Sequence, residues 1–334
     1  MKFLVIGLGS MGKRRIRNLL ALGHFSIAGV DIRDDRRIEA LDKYKIQTFS
    51  DFDLALQEFN PDVLIISTPP DQHMHYAYLG FYNGISSFIE ASVVHMEDIK
   101  NLEYLTRNSG VIILPSCTMR YYPGPRKIKE LVQSGNIGKI LNINYQTGQY
   151  LPDWHPWENI EDFYVSHRDT GAARELVPFE LTWLNDIFGT PFPISCYKSK
   201  LADMSAEIDD IYHILLSYEN GQVLANITIE VVSRPIAVRE MRILGSHGEI
   251  TFSGEHNKVR YIKLGMNEWE EFDLNPGTQE AGYINPEEPY IAEMKDFIAA
   301  VTTGNESLFP NSLMDDYDVL QILNSLEDLS ERNL

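Results

Sequence analysis

The sequence feature that most constrains the fold is a glycine-rich turn near the amino terminus. Gly7, Gly9 and Gly12 follow a short apolar run at residues 3–6 and precede residues 13–22, whose apolar positions have helical spacing. Glycines at these positions allow a sharp turn, a close approach of the backbone to a phosphate group, and tight packing of helix on strand. The order of strand, turn and helix therefore predicts the start of a doubly wound nucleotide-binding domain.

Strand-like and helix-like segments alternate through the first third of the chain. The predicted strands are nearly all apolar, which is typical of a parallel sheet covered by helices on both faces. We therefore predict an α/β Rossmann domain over residues 1–118. Its predicted strands are residues 3–6, 26–30, 63–67, 87–89 and 111–114, and its predicted helices are residues 13–22, 51–58, 71–82 and 96–108.

The remainder of the chain, residues 119–334, has a different pattern. β-rich runs at residues 213–218 and 223–232 flank Asn220-Gly221, which is the strongest short-range signal of a β-hairpin. We predict a second, α+β domain with a mostly antiparallel sheet flanked by helices. The last predicted helices are residues 288–302 and 313–330.

Charge and cysteine content exclude several classes of partner. The chain carries 48 acidic and 29 basic residues, and a net charge of −19 repels nucleic-acid backbones and anionic lipid headgroups. Cys117 and Cys196 form no C-x-x-C pair, so neither a disulfide framework nor a zinc site is predicted. No apolar run has the length of a membrane span. We expect a cytoplasmic protein with no nucleic-acid partner, no membrane partner and no bound metal.

An acidic residue lies where a dinucleotide-binding domain requires one. Asp31 ends the second predicted strand, 19 residues after Gly12, where it can accept hydrogen bonds from both ribose hydroxyls. Its charge disfavours a 2′-phosphate, which indicates NAD rather than NADP. Arg33, two residues further on, is the alternative contact for such a phosphate. Ser10 and Met11 complete the cofactor contacts predicted in the loop.

Two further segments fall at the carboxyl ends of predicted strands, where ligands bind to open α/β sheets. Thr68-Pro69 is followed by His73, and the next strand ends in Glu90. These segments resemble the T-P-x-x-x-H and E-K-P segments of the glucose-fructose oxidoreductase, inositol dehydrogenase and rhizopine catabolism (Gfo/Idh/MocA) family, and the resemblance extends over essentially the whole chain. It implies that Thr68, Pro69, His73 and Glu90 contact the cofactor.

The resemblance also carries an expected activity and assembly. Members of this family are NAD(P)-dependent oxidoreductases, so it implies action on the hydroxyl or keto group of a sugar, a sugar acid or a sugar nucleotide. It further implies a homodimer or homotetramer formed through the sheet of the second domain.

The sequence departs from the family at two positions that usually transfer protons. The lysine of E-K-P is replaced by Ala91, and the D-x-G-x-H run of the family aligns with Glu175 in the place of its aspartate and Phe179 in the place of its histidine. Oxidation of a secondary alcohol requires the hydroxyl proton to leave, and a positioned base contributes about 10²–10⁴-fold to that step. His167, Glu175 and Tyr121 are the candidates for this base.

The segment between residues 154 and 175 is rich in aromatic, histidine and arginine residues. Aromatic rings stack on the apolar faces of sugars, and guanidinium groups bind acids or phosphates bidentately. We therefore predict a substrate pocket for a sugar-type molecule. In one interpretation this molecule carries a negative charge, which the arginines would bind. The candidate substrate contacts are Arg120, Trp154, His155, Tyr164, Arg168 and Arg174.

Two alternatives to net oxidation or reduction stay open. In a redox-neutral enzyme, bound NAD is reduced and reoxidised within one turnover, which gives epimerisation or elimination. In a sensor, the fold binds NAD or a sugar nucleotide without chemistry, because a fold alone does not guarantee function. The missing lysine and histidine favour the sensor, whereas the cluster of His, Arg and Tyr residues favours an enzyme.

Overall fold

The structure is a computed structural model that describes residues 1–154, 159–162 and 164–332. The chain divides into two compact units, and each unit is built from two separate stretches of sequence. The first unit comprises Met1–Thr118 and Gly277–Tyr317, and the second comprises Met119–Pro276 and Asp318–Leu334.

Strands and helices are numbered in chain order. The strands are β1 (Phe3–Ile6), β2 (Ile27–Val30), β3 (Gln47–Phe49), β4 (Val63–Ile66), β5 (Ser86–Ile89), β6 (Ile113–Pro115), β7 (Ile140–Gly148), β8 (Phe192–Ser199), β9 (Ile211–Tyr218), β10 (Val223–Glu230), β11 (Val238–Gly245), β12 (Gly248–Ser253), β13 (Lys258–Lys263) and β14 (Glu270–Asp273). The helices are α1 (Ser10–Ala21), α2 (Asp34–Tyr44), α3 (Phe52–Phe59), α4 (His73–Tyr82), α5 (Met96–Thr106), α6 (Pro123–Gln133), α7 (Ala172–Phe188), α8 (Glu288–Thr303) and α9 (Leu313–Arg332). No helix in the described ranges is both long enough and apolar enough to cross a lipid bilayer.

The first unit is built around a parallel sheet with the strand order β3-β2-β1-β4-β5-β6. This is the Rossmann order, in which the strand order reverses between β1 and β4. Every residue of β1, β2 and β4 is buried, as expected for apolar strands covered on both faces. The predicted α/β Rossmann domain is therefore confirmed.

Two elements of the first unit, one helix and one strand, were not predicted from the sequence. Helix α2 is dominated by charged residues and buries only Ala40, so its apolar signal is weak. Strand β3 has three residues and pairs along one edge with β2. Both elements form because the neighbouring strand and helices supply the packing that their own sequence does not signal.

The segment Gly277–Tyr317 packs with the first unit, whereas the sequence-based division placed all of residues 119–334 in the second domain. Helix α8 lies against α1, and the two are joined by ion pairs. Glu287, just before α8, accepts hydrogen bonds from Arg14 Nε at 3.1 Å and from Arg17 Nη2 at 2.9 Å. This pairing joins residues about 270 positions apart, which local sequence patterns cannot indicate.

The second unit is built around an eight-stranded sheet with the order β14-β13-β12-β11-β7-β10-β9-β8. Neighbouring strands are antiparallel except β10 and β7, which are parallel. Helices α6 and α7 pack against this sheet. The predicted α+β domain with a mostly antiparallel sheet is therefore confirmed.

The hairpin predicted at Asn220-Gly221 joins β9 to β10. Tyr218 pairs with Val223 across the turn, and Asn220 and Gly221 have φ values of 54° and 91°. Asparagine and glycine tolerate this left-handed region, which is why the dipeptide marks the turn.

One face of the sheet, which we call the outer face, carries a row of polar and exposed side chains. Along β10 the burial alternates, so that Ala225 is buried while Leu224 and Asn226 point outward. Asn142 and Asn144 of β7 pair with these two outward residues, and Asn144 Nδ2 donates to Asn142 Oδ1 at 2.7 Å. The alternation assigns the apolar residues to the face that the helices cover.

Candidate functional site

The glycine-rich loop between β1 and α1 leaves no room for side chains at its first and last glycines. Gly7 has a φ of +87°, and a Cβ there would lie 2.6 Å from the Ser67 carbonyl oxygen. A Cβ at Gly12 would lie 1.8 Å from the Gly7 carbonyl oxygen. Gly9 precedes α1 with no side-chain cap, so the first N–H groups of the helix are available to an anion. This cradle fits the pyrophosphate of a dinucleotide.

Ser10 and Met11 form the first turn of α1, and both are half-buried. The Ser10 carbonyl oxygen accepts a hydrogen bond from Tyr283 Oη at 3.0 Å. A residue from the returning segment of the first unit therefore helps to hold the loop.

The Asp31 carboxylate is fixed at the end of β2. Asp31 is 7% exposed, and its Oδ2 accepts a hydrogen bond from the Leu8 backbone N–H at 2.7 Å. Its Oδ1 accepts one from the Arg33 backbone N–H at 2.9 Å. Each oxygen keeps a second lone pair for a ribose hydroxyl. The side chain of Arg33 turns to Asp35 instead, with Nε–Oδ1 and Nη2–Oδ2 distances of 3.0 and 2.6 Å.

The predicted contacts Thr68, Pro69 and His73 form the turn between β4 and α4. His73 is buried, and burial lowers the pKa of its ring below the ordinary value. The neutral ring donates from Nε2 to the Thr68 carbonyl oxygen at 2.9 Å. His73 therefore shapes this turn, and a cofactor contact of these three residues stays a prediction.

Glu90 is held by a fully buried arginine on the first helix. Arg15 Nε and Nη2 donate to the two carboxylate oxygens of Glu90 at 2.7 and 2.8 Å, and Arg15 Nη1 donates to Glu293 Oε2 at 2.9 Å. Burial alone would lower the pKa of Arg15, but the two carboxylates raise it above its ordinary value. Glu90 keeps a side-chain exposure of 13%, so part of it stays accessible.

The second carboxylate of this group, Glu293, has further partners. It accepts hydrogen bonds from the Cys117 backbone N–H at 2.6 Å, from Ser116 Oγ at 2.9 Å and from Thr118 Oγ1 at 2.7 Å. A role for Arg15 was not predicted from the sequence. The residue lies four positions before the buried Leu19, on the same face of the helix. A charged residue on the apolar face of a helix indicates a buried partner of opposite charge.

In the second unit, Glu175 lies in the first turn of α7 and is half-buried. Tyr164 Oη donates to its two carboxylate oxygens at 2.9 and 3.2 Å. Burial raises the pKa of Glu175 to about 7, and the hydrogen bond from Tyr164 opposes that rise. A Cβ at Gly171, before the helix, would lie 2.8 Å from the His167 carbonyl oxygen, so a glycine is needed to bring the preceding turn against α7.

His167 and Arg168 are both exposed in the turn that precedes α7. The turn is held by its backbone and by Thr170, whose Oγ1 donates to the Tyr164 carbonyl oxygen at 2.7 Å. The His167 backbone N–H donates to the same oxygen at 3.2 Å. Exposure leaves both side chains accessible to a ligand, and their predicted roles stay predictions.

Arg174 forms a bidentate ion pair within the second unit. Its Nε and Nη2 donate to Glu327 Oε1 and Oε2 at 2.9 and 3.1 Å, and Tyr212 Oη donates to the same carboxylate at 3.0 Å. This ion pair gives Arg174 a structural role, because it joins α7 to α9. The substrate contact of Arg174 stays a prediction.

The other predicted residues of the second unit differ in their surroundings. Arg120 Nε donates to the Thr182 carbonyl oxygen of α7 at 3.0 Å. Tyr121 and Trp154 are half-buried, and His155 lies outside the described residues.

The two positions that lack the usual proton-transfer groups are both half-buried. Ala91 directly follows β5, and Phe179 lies one helical turn after Glu175 in α7. Neither side chain can accept or donate a proton. Of the two residues aligned with the aspartate and histidine of D-x-G-x-H, Glu175 is therefore the titratable one, and burial raises its pKa to about 7.

Within the described part of the chain, no group of three or more His, Cys, Asp or Glu side chains is arranged to hold a metal ion.

Two family models match most of the chain. Residues 1–116 match the model described as oxidoreductase family, NAD-binding Rossmann fold, and residues 126–251 match the model described as GFO/IDH/MocA C-terminal domain. These matches confirm the predicted NAD-binding Rossmann domain and the predicted family.

Named relatives are similar to this chain at low sequence identity. D-xylose 1-dehydrogenase (NADP(+)) from Hypocrea jecorina is 24% identical over 252 residues, covering 67% of this chain and 61% of that protein. The chain spans less than two thirds of the length of the curated relatives that it matches.

Several solved structures match over the full length of the chain. An oxidoreductase from Agrobacterium radiobacter in complex with NAD+, L-tartaric acid and magnesium has a TM-score of 0.87 at 15% identity, covering 100% of this chain and 97% of that one. Levoglucosan dehydrogenase in complex with NADH and levoglucosan has a TM-score of 0.84 at 16% identity, covering 100% and 98%. At this identity the similarity establishes the fold.

Proposed function

Because this chain belongs to the Gfo/Idh/MocA oxidoreductase family, we propose that it uses NAD(H) to oxidise a hydroxyl group, or to reduce a keto group, of a sugar, a sugar acid or a sugar nucleotide. The observation that carries the proposal is the cradle formed by Gly7, Gly9 and Gly12 beside the fixed carboxylate of Asp31. Backbone N–H groups of α1 would bind the pyrophosphate, and Asp31 would bind the ribose hydroxyls. Bound NAD would supply the hydride acceptor for oxidation, and bound NADH would supply the hydride donor for reduction.

We assign the proton transfer that accompanies hydride transfer to Glu175. A general acid or base works best when its pKa lies near the operating pH, and burial places the pKa of Glu175 at about 7. Tyr164 orients the carboxylate through its hydrogen bonds. Glu175 would accept the hydroxyl proton during oxidation and return it during reduction.

His167 and Tyr121 are the alternatives to Glu175. His167 is exposed and Tyr121 is half-buried, and a tyrosine with its ordinary pKa near 10 needs a nearby cation to act as a base. We expect His167→Ala to keep most of the turnover. An inactive His167→Ala variant that still binds NADH would assign the base to His167 instead.

The substrate class is supported by the relatives and by the residues around α7. Relatives are named as acting on xylose and levoglucosan, and one related structure holds L-tartaric acid. The exposed Arg168 is a candidate contact for an acidic group, with Trp154 and Tyr164 as candidates for stacking. We place the protein in the cytoplasm, where the buried thiols Cys117 and Cys196 stay reduced.

A redox-neutral reaction is the second candidate. The observation that favours it is the pair of positions 91 and 179, where alanine and phenylalanine replace titratable residues. One carboxylate with a pKa of about 7 can take up and return the same proton within a turnover. A sensor that binds without turnover is the third candidate.

One experiment separates these functions. The purified chain is titrated with NADH by calorimetry, and absorbance of reduced nicotinamide is then followed while sugars, sugar acids and sugar nucleotides are added with NAD. We expect net reduction with at least one compound. Product formation without net reduction would support the redox-neutral enzyme, and NADH binding with neither change would support the sensor.

We also propose that the outer face joins copies of this chain into a homodimer or homotetramer. Leu224, 45% exposed, and Tyr197, 49% exposed, lie on this face among polar residues, a mixture typical of interfaces. Leu224→Arg is expected to reduce the mass measured by light scattering to that of one chain. Leu264→Arg, at a leucine 76% exposed in the turn after β13, is the matched control. A wild-type chain that is monomeric would contradict the proposal.

A further inference from the structure

Glu90 follows β5 at the carboxyl edge of the parallel sheet. Its backbone N–H donates to the Ile66 carbonyl oxygen of β4 at 3.0 Å, and Ser67 Oγ donates to its Oε1 at 3.2 Å. The Ser67 carbonyl oxygen is the atom that a Cβ at Gly7 would meet at 2.6 Å. Ser67 therefore links the Glu90 carboxylate to the glycine-rich loop.

Two carboxylates flank the point at which the strand order of this sheet reverses. Asp31 follows β2 on one side of that point, and Glu90 follows β5 on the other. A dinucleotide binds across such a crevice, with the ribose of its adenosine half at the carboxylate after the second strand. The half of the dinucleotide on the side of β4 and β5 is then the one that contains the nicotinamide.

The orientation of the Glu90 carboxylate depends on Arg15, whose side chain is completely buried. Arg15 binds Glu90 bidentately through Nε and Nη2, and its remaining nitrogen, Nη1, donates to Glu293. The Arg15 guanidinium also lies 4.5 Å from the centroid of the Phe88 ring. A planar guanidinium held on both sides has one orientation, and the bidentate pair imposes that orientation on the carboxylate.

The two oxygens of Glu90 differ in their hydrogen bonds. Oε1 accepts from both Arg15 Nε and Ser67 Oγ, which uses its two lone pairs. Among the described residues, Oε2 accepts from Arg15 Nη2, and its second lone pair is left for a ligand. Glu90 is also the member of this cluster that keeps an exposed fraction, 13% of its side chain. Oε2 can therefore accept a hydrogen bond from a hydroxyl or amide group in the crevice.

We propose that Arg15 is a positioning residue of the dinucleotide site, which holds Glu90 Oε2 as a hydrogen-bond acceptor for the nicotinamide half of NAD(H). The proposal rests on the dinucleotide site of the proposed function and is independent of the substrate. Arg15 is completely buried, so it acts through Glu90 and does not touch the cofactor. Disturbing it should weaken the binding of one half of the dinucleotide and spare the other.

The test is calorimetric titration of the full chain with NADH and with ADP, which has the adenosine ribose and the pyrophosphate but no nicotinamide. Arg15→Lys keeps the positive charge, but one ammonium group cannot replace the bidentate pair with Glu90 and also bind Glu293. We expect this variant to bind NADH about 10-fold more weakly, the equivalent of one hydrogen bond to a charged group, and ADP within about twofold of wild type. Retained ADP binding shows that the glycine-rich loop and α1 are folded.

A double-mutant cycle with Glu90→Gln tests whether Arg15 acts through Glu90. Glu90→Gln alone is expected to weaken NADH binding at least as much as Arg15→Lys does, with ADP binding unchanged. Adding Arg15→Lys to Glu90→Gln should then weaken NADH binding by less than about a further twofold, because the carboxylate that Arg15 orients is already gone. A merely structural role of Arg15 would give additive losses and would weaken ADP binding as well.

Arg14→Lys is the matched control, because it changes a neighbouring buried arginine of α1 whose Nε donates to Glu287 Oε1 at 3.1 Å. It should leave the ratio of the dissociation constants for NADH and ADP within about twofold of wild type. The proposal is overturned if Arg15→Lys weakens both ligands equally, if it weakens neither, or if the losses in the cycle add. Wild type that binds neither NADH nor ADP would overturn the dinucleotide site of the proposed function itself.

Discussion

Replacing Glu175 by glutamine is expected to lower turnover by about 10²–10⁴-fold, the contribution of a positioned acid or base, while the affinity for NADH changes by less than about twofold. Glutamine keeps the shape of the side chain and can still accept a hydrogen bond from Tyr164 Oη. It cannot take up the hydroxyl proton. The effect should therefore appear in kcat with little change in the binding of cofactor.

The pH dependence gives this prediction a second measurement. Glu175 acts as a base only when it is deprotonated, so turnover in the direction of oxidation should fall as the pH is lowered through about 7. The hydrogen bond from Tyr164 lowers the pKa of Glu175, so Tyr164→Phe should raise that pKa and move the midpoint to higher pH. A merely structural role of Tyr164 would lower activity without moving the midpoint.

Glu161→Gln is the matched control for Glu175→Gln, because Glu161 is exposed in the same segment. It should retain wild-type turnover and the wild-type pH profile. Full activity of Glu175→Gln would exclude Glu175 as the proton-transfer group. His167 and Tyr121 would then be the candidates for the base.

Gly12→Ala is expected to have the second large effect, a loss of at least ~100-fold in NADH affinity, or about 2.7 kcal/mol. The new methyl group would lie 1.8 Å from the Gly7 carbonyl oxygen and 3.4 Å from Val5 Cγ1. The first contact is with backbone, so no rotamer change relieves it, and α1 must move away from β1. The cradle for the pyrophosphate would then open, and unfolding would require about 1–3 kcal/mol less free energy.

Gly23→Ala provides the control, just after the carboxyl end of α1. A Cβ at Gly23 meets no atom within 4 Å, although its φ of +83° strains any other residue. This substitution should cost about 1–2 kcal/mol of stability and leave NADH binding intact. Calorimetry and thermal unfolding of both variants measure the two effects separately, and normal NADH binding by Gly12→Ala would contradict the assigned role of the loop.

The sequence predicted those parts of the fold whose signal is local. Buried parallel strands are short apolar runs, and the turn at Asn220-Gly221 needs residues that tolerate positive φ. Both features can therefore be predicted from a few adjacent residues. Helix α2 was not predicted, because most of its residues are charged and Ala40 is its sole buried residue, which leaves a weak apolar signal.

In the candidate site too, the residues with a local sequence signal could be predicted, and those with distant partners could not. The glycine loop and Asp31 could be predicted, because their spacing is fixed by one strand, one turn and one helix. The partner of Arg174 is Glu327, 153 residues away, and the partner of Arg15 is Glu293, 278 residues away. Such pairs depend on tertiary packing, which a single sequence does not encode in any local pattern.

The return of Gly277–Tyr317 to the first unit has a consequence for how this protein is made on the ribosome. The nascent chain emerges from its amino terminus, so Arg15 leaves the exit tunnel long before Glu293 has been translated. Until then a guanidinium destined for complete burial has Glu90 but lacks its second carboxylate, and removing a partner from a buried ion pair costs about 3–5 kcal/mol. The first stretch of the nucleotide-binding unit is thus synthesised well before the segment that completes it, and a gene fragment that ends at residue 118 encodes an unfinished unit.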